Sequence, residues 1–192
     1  IPHSQKNAPI SQGEFIVSTA QYRWEFTQDL KGGHRGFNNP ELERFKNGRY
    51  RSLTREVIQN SLDAVADKLK PVRVEFHCAR YTTSDIPDAP GLAAKIGKCI
   101  PMAQRDRNRA EAAPWFENAH ALITGTSIYV LKMSDFNTRG MRGPCEYGTP
   151  FYAYMKAMGA SEKDGATAAG SHGIGKRAPL LSSKLRTLIA VT

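Results

Sequence analysis

LTREVIQNSLDAVADKL, residues 53–69, and the KPVRVEFH that follows it, residues 70–77, decide the class of fold. Leu53, Val57, Ile58, Leu62, Val65 and Leu69 recur at three- and four-residue steps, the period of one helical face. Pro71 cannot continue a helix, so the spacing predicts a helix over 53–69 that stops there. Beyond it VRVEFH alternates as a strand does, and TSIYVLKM, residues 126–133, is a second β-rich run. The two runs are expected to pair in one sheet, which makes this an α/β chain.

Between these strands, residues 78–125 carry prolines at 87, 90, 101 and 114, a charged QRDRNRAE and an apolar WFENAHALI. So long and patterned a stretch reads as an inserted helical element rather than a hairpin loop. A second connection, 140–169, is rich in Gly and Ala, with an amphipathic piece at Phe151–Met158. After Gly175 a helix is expected to about Ser183, and Leu185–Val191 reads as another strand. On the N-terminal side, residues 1–13 are polar and 31–40 form a glycine-rich loop. Phe15, Tyr22, Trp24 and Phe26 between them are expected to cover the sheet or a partner subunit. Residues 1–40 are thus an N-terminal extension, a candidate dimer or lid contact, and 41–192 one domain.

The chain has 192 residues, 40% of them apolar, enough for one sizeable core. Lys and Arg outnumber Asp and Glu by 27 to 18, giving a net charge of +9. The excess is spread along the chain, with a concentration in Lys95, Lys98, Arg105, Arg107 and Arg109. Nucleic acid is therefore a candidate partner beside the alternative of a solvated basic surface. No apolar run approaches the roughly 20 residues that cross a bilayer, and the N-terminus has no apolar signal core. A soluble, intracellular (cytoplasmic) protein with no membrane partner is expected. The missing initial methionine suggests a processed or trimmed chain. Cys78, Cys99 and Cys145 are widely spaced without a CxxC pair, which indicates reduced thiols rather than disulfides or zinc.

Three stretches carry chemistry. In REVIQNSLDA, residues 55–64, Glu56, Asn60 and Asp63 fall at i, i+4 and i+7, on one stripe beside the apolar face. An amphipathic surface helix would have the same spacing. In SDFNTRGMRG, residues 134–143, Asp135 closes the second strand, where a carboxylate can accept a hydrogen bond from a ligand amine. In GSHGIGK, residues 170–176, Gly170, Gly173 and Gly175 precede a predicted helix, so backbone N–H groups can approach a phosphate and Lys176 adds a cation. The same residues fit the start of a P-loop. That motif, however, needs an apolar strand before it and Ser or Thr after the lysine, whereas here DGATAA precedes and Arg177 follows. His172 beside Ser171 has no accompanying catalytic constellation. His77 and Cys78 read as sheet residues, and Trp115, Phe116, Phe151, Tyr152 and Tyr154 as core or interface.

In this order the three stretches resemble the N-box and the two glycine boxes of the GHKL ATPases, the family of gyrase, heat-shock-chaperone and MutL ATP-binding domains and of histidine kinases. The resemblance covers about residues 51–192. It implies the Bergerat-type fold, a two-layer α/β sandwich with a mixed, largely antiparallel sheet and helices on one face. The cofactors it implies are ATP and Mg²⁺. Asn60 would hold the metal, Glu56 would polarise the attacking water, and Asp135 would read adenine. Asp63, Asn137, Gly140, Gly170, Gly173, Ile174, Gly175 and Lys176 would complete the nucleotide site, with a lid over about 140–172. Histidine kinases lack a base of the Glu56 kind, which favours the hydrolysing branch. The family pattern after the adenine-reading acid is D-x-G-x-G. Here Asn137 stands at the first glycine and Gly140 arrives one residue late, and asparagine tolerates the left-handed backbone such a turn needs. An ATP-dependent homodimer is implied for the full-length protein. Because a following domain often brings a lysine to the γ-phosphate in this family, residues 1–192 alone are expected to turn over ATP slowly or not at all. The alternatives are a nucleotide-dependent interaction switch that does not hydrolyse, and a basic nucleic-acid-binding module.

Overall fold

A computed structural model of the chain describes residues 23–26, 48–106, 110–156 and 178–191. Their elements run α1 (Arg49–Asp63), β1 (Arg73–Thr82), a 3₁₀ turn (Thr83–Asp85), α2 (Ala89–Arg105), α3 (Ala112–Thr124), β2 (Ser127–Phe136), α4 (Pro150–Met155) and α5 (Ala178–Ser182). The class is mixed α/β, as the patterning predicts. The sheet among the described residues has two strands, not the larger mixed sheet the resemblance implies.

β1 and β2 pair antiparallel without interruption from Arg73↔Phe136 to Thr82↔Ser127. Both extend past the apolar runs that predicted them, because ladder hydrogen bonds recruit flanking polar residues whatever their hydropathy. Cys78–Thr82, expected in the insertion, is therefore strand, and so is Asp135. Neither strand contains a buried residue. The half-buried Ala79, Tyr81, Ile128 and Val130 share one face near the Thr82–Ser127 end. That end leads directly into the insertion.

The insertion is a helical hairpin, α2 packed on α3. Ala89, Leu92 and Ile96 from α2 meet Ala119 and Ile123 from α3 in a buried cluster, bordered by Trp115 and Phe116. Those two rings meet edge to face at 4.8 Å, so both aromatics serve the core. Asp88 starts α2: its carboxylate accepts the Gly91 N–H at 3.1 Å. The carboxylate also fills the space a Cβ would need at position 91, so a larger residue there would displace the capping carboxylate. Pro90 sits in the first turn of α2, where its missing N–H costs nothing, while Pro101 lies inside the helix. Burial pushes the Cys99 thiol on α2 up from its ordinary value.

Trp24 also joins this hairpin core rather than the sheet. Its backbone N–H donates to Asp88 Oδ2 at 3.1 Å and its indole N–H to the Pro87 carbonyl at 3.0 Å. Leu185 packs on the same cluster, and Arg186 lies over the Trp115 ring at 5.1 Å. Residues 183–191 form a turn and an irregular segment without strand pairing, although Leu185–Val191 has strand-like composition. Propensity alone does not make a strand. A sheet edge must accept the backbone, and no edge does so among the described residues.

α1 departs from its periodicity in two ways. It ends at Asp63 rather than Leu69, because the Ala64 carbonyl accepts the Arg139 N–H at 2.7 Å and Val65 forms a β-bridge with Thr138. A continuing helix would spend that carbonyl on its own next turn. Leu69, expected in the core, is 96% exposed. The packed stripe also differs. Leu53 and Ser61 are buried and Val57 half-buried, at four-residue steps, where α1 meets α5 and its buried Ala178 and Pro179. Ile58 and Leu62 lie off this stripe and are exposed. The buried Ser61 hydroxyl is satisfied by donating to the Val57 carbonyl at 3.0 Å.

Candidate functional site

The first two chemical stretches meet at the end of the β-ladder away from the helical hairpin. There the turn after α1, residues 64–71, lies against the chain leaving β2, residues 137–139. Besides the Val65–Thr138 bridge, the Ala66 N–H donates to the Asn137 carbonyl at 3.0 Å. Arg139 closes the junction twice, through its N–H to Ala64 O and through Nη2 to Asp63 O at 3.3 Å. Arg73 lies over the Phe136 ring at 3.9 Å across the first rung of the ladder, and its guanidinium pairs with Glu75.

Asn137 is the centre of this junction. Its φ is +60°, the left-handed conformation that asparagine tolerates better than most residues. Its side chain is occupied on both ends: Oδ1 accepts the Asp67 N–H at 3.1 Å, and Nδ2 donates to Asp67 O at 2.9 Å and Lys70 O at 2.8 Å. Asp67 itself shapes the loop by accepting the Leu69 N–H on Oδ1 at 2.9 Å. Among the expected nucleotide-site residues Asn137 is thus one whose side chain already has protein partners. Its available contribution to a ligand is the shape of the turn. Gly140 follows with φ +65°, again left-handed.

Asp135 lies two residues before Asn137, in the ladder opposite Val74, and is exposed. On α1, Glu56 is half-buried and Asn60 and Asp63 are exposed. The polar stripe, which the spacing reads as a polar seam and not a solvated face, is therefore largely accessible. It lies off the buried Leu53–Ser61 stripe that meets α5. The structure brings Asp63 to the β2 exit through Arg139, and Asp135 to the same junction through the chain itself.

Gly170, Gly173, Ile174, Gly175 and Lys176 lie outside the described residues. The helix that follows them is described: α5 begins two residues beyond Lys176 and packs on α1. The expected lid over about 140–172 is described only to residue 156. Its first half contains left-handed Gly143 and Gly148 and the short α4, which Thr149 caps by accepting the Tyr152 N–H at 3.2 Å.

The donor set limits how a metal could be held. Among the described residues no three His, Cys, Asp or Glu side chains gather into a metal site. A divalent ion bound at Asn60 would require further oxygens from outside this set, such as those of a phosphate ligand. Such a set suits Mg²⁺, which keeps several waters and takes few protein ligands beside substrate phosphates. It does not suit a metal caged by protein alone.

Two contributors escaped the sequence reading, Arg139 and the Asp67–Lys70 turn. The D-x-x-x-P spacing of Asp67 and Pro71 is a turn signal, but the helical period of Val65 and Leu69 masked it. Among the described residues no helix is long and apolar enough to cross a membrane. Compared with models of protein families, with curated proteins and with solved structures, the chain shows no match.

Proposed function

We propose that the chain is an ATP-binding and ATP-hydrolysing domain of the GHKL type, with a Bergerat-type sandwich to which α1 and the β1–β2 ladder belong. One observation supports this reading: the helix that carries the first chemical stretch is joined at its end to the second. The helix carries Glu56 and Asn60, its end is hydrogen-bonded to the turn that follows Asp135, and α5, which follows the glycine-rich stretch, packs against it.

In this reading Asn60 offers its amide oxygen to Mg²⁺, and Asp135 accepts a hydrogen bond from the adenine amine. Gly170, Gly173, Ile174 and Gly175 offer backbone N–H groups to phosphate, and Lys176 adds a positive charge. Glu56, half-buried and one turn before Asn60, takes the proton from the attacking water. Bound Mg-ATP would supply the scissile phosphoanhydride and the charge neutralisation at its oxygens. The protein's share is positioning and electrostatics, as is usual in phosphoryl transfer. The full-length protein would close as an ATP-dependent homodimer.

Titration of the chain with ATP, GTP, and single-stranded and duplex DNA tests this reading. Saturable, Mg²⁺-dependent binding with preference for ATP over GTP is expected, and Asp135→Asn should weaken ATP binding about 10-fold, because a donor replaces an acceptor opposite another donor. Binding to DNA with steep salt dependence and no adenine selectivity would favour the basic nucleic-acid module instead. ATP binding without turnover in a full-length dimer would favour the non-hydrolysing switch.

A further inference from the structure

We infer that Asn137 is a positioning residue, a latch that fixes the end of α1 against the end of β2 and so sets the spacing of the groups meant for nucleotide. The inference rests on the ATP reading and deepens it. Its basis is the chemistry of one side chain. A turn that needs only a left-handed residue is served best by glycine, which reaches positive φ without steric cost. Asparagine at φ +60° gives up some of that ease, and here its amide does what glycine could not. It binds both the N–H and the carbonyl of Asp67 and the carbonyl of Lys70, mimicking a strand neighbour for a loop that has none.

The bonds around it give the latch its reach. Counting outward from Asn137, its own carbonyl holds Ala66, Thr138 bridges Val65, and Arg139 holds Ala64 and Asp63. Four consecutive residues after or at the end of α1 are thereby tied to three consecutive residues after β2. Asp135 lies two residues upstream of this seam and Asp63 lies in it. Asn60 is one helical turn further back. Rotation or fraying of the last turn of α1 would move the metal-binding and base-reading groups relative to each other. Packing on α5 holds the body of α1, and the hydrogen bonds of Asn137, with those of Arg139, hold the turn beyond its end against β2.

The test is Asn137→Gly in the full chain, which keeps the left-handed backbone and removes only the amide. Two readouts are needed. Without nucleotide, hydrogen exchange at the Asp67 amide should quicken about 10-fold or more because its side-chain acceptor is lost, and exchange at the Ala66 and Arg139 amides should quicken with it as the loosened turn opens, while the global fold, followed by circular dichroism, persists. With nucleotide, ATP affinity should fall about 10-fold and the preference for ATP over GTP should shrink, since the competent arrangement becomes a minority state. A merely structural role would lower the melting temperature without changing that preference. Asn137→Asp serves as a second variant. It retains an acceptor for the Asp67 N–H but turns a carboxylate toward two carbonyls, so it should impair selectivity at least as much as glycine. If Asn137→Gly exchanges like the wild type, or binds ATP as tightly and selectively, the positioning role is wrong while the ATP reading stands. A wild-type chain that binds no adenine nucleotide overturns the ATP reading, and this role with it.

Discussion

The helical hairpin and the α1–β2 junction sit at opposite ends of the same ten-rung ladder, roughly 30 Å apart along the strands, and are held together by different physics. In the hairpin, five buried apolar residues and the bordering Trp24, Trp115 and Phe116 exclude water. At the junction the cohesion is a set of directed hydrogen bonds through Asn137 and Arg139 beside a strand end that has no buried residue. Burial is non-directional and stabilises whatever packs. Hydrogen bonds contribute little net energy but fix relative position. A ligand site needs the second property, and a scaffold the first.

Truncation of a side chain should separate the two ends most clearly. Ile123→Ala, in the hairpin core, should cost about 2–5 kcal/mol of folding stability, whereas Leu62→Ala on the exposed side of α1 should cost about 0.5 kcal/mol or less. Urea denaturation of both variants measures the contrast. Equal losses would mean that the outer face of α1 is covered in solution, and the division between ends would fail.

Next in size is a loss of chemistry without loss of binding. In the full-length protein, Glu56→Ala should leave ATP affinity near wild type and lower single-turnover hydrolysis on the order of 100-fold, the usual contribution of a positioned general base. Loss of binding and hydrolysis together in a folded variant would assign Glu56 to holding the junction rather than to water.

A smaller effect tests whether the hairpin end is independent of the site. Trp24→Phe keeps an aromatic ring on the core but removes the indole bond to the Pro87 carbonyl, so stability should fall about 1 kcal/mol. ATP affinity should not change. A parallel drop in affinity would show that the two ends communicate along the ladder.

The smallest expected effect concerns thiol reactivity. Burial disfavours the thiolate of Cys99 and raises its pKa, so at a given pH less of it is ionised than in the unfolded chain. Alkylation of Cys99 near neutral pH should therefore lag behind that of the exposed Cys78, and should catch up only as pH rises above the ordinary thiol range. Peptide mass spectrometry after timed iodoacetamide treatment would measure it. Equal rates would indicate that the hairpin opens readily and is no firmer than the junction.

The sequence by itself determined the elements whose signal is local. The two β-rich runs pair, the proline-punctuated insertion is helical, a helix follows the glycine-rich stretch, and Asn137 takes the left-handed conformation that asparagine tolerates. Each depends on the period or steric allowance of a few neighbouring residues. Only the tertiary structure decided where α1 stops and which of its faces is buried. Val65 and Leu69 continue the helical period perfectly well, yet the Ala64 carbonyl and Val65 are taken by residues more than seventy positions away. Likewise Leu185–Val191 has the composition of a strand but no edge to join, and Trp24 finds its place on a hairpin that periodicity could not orient. Helical and strand periods specify which side of an element is apolar, but a backbone carbonyl goes to the best donor that folding delivers. That donor is a property of the assembled chain.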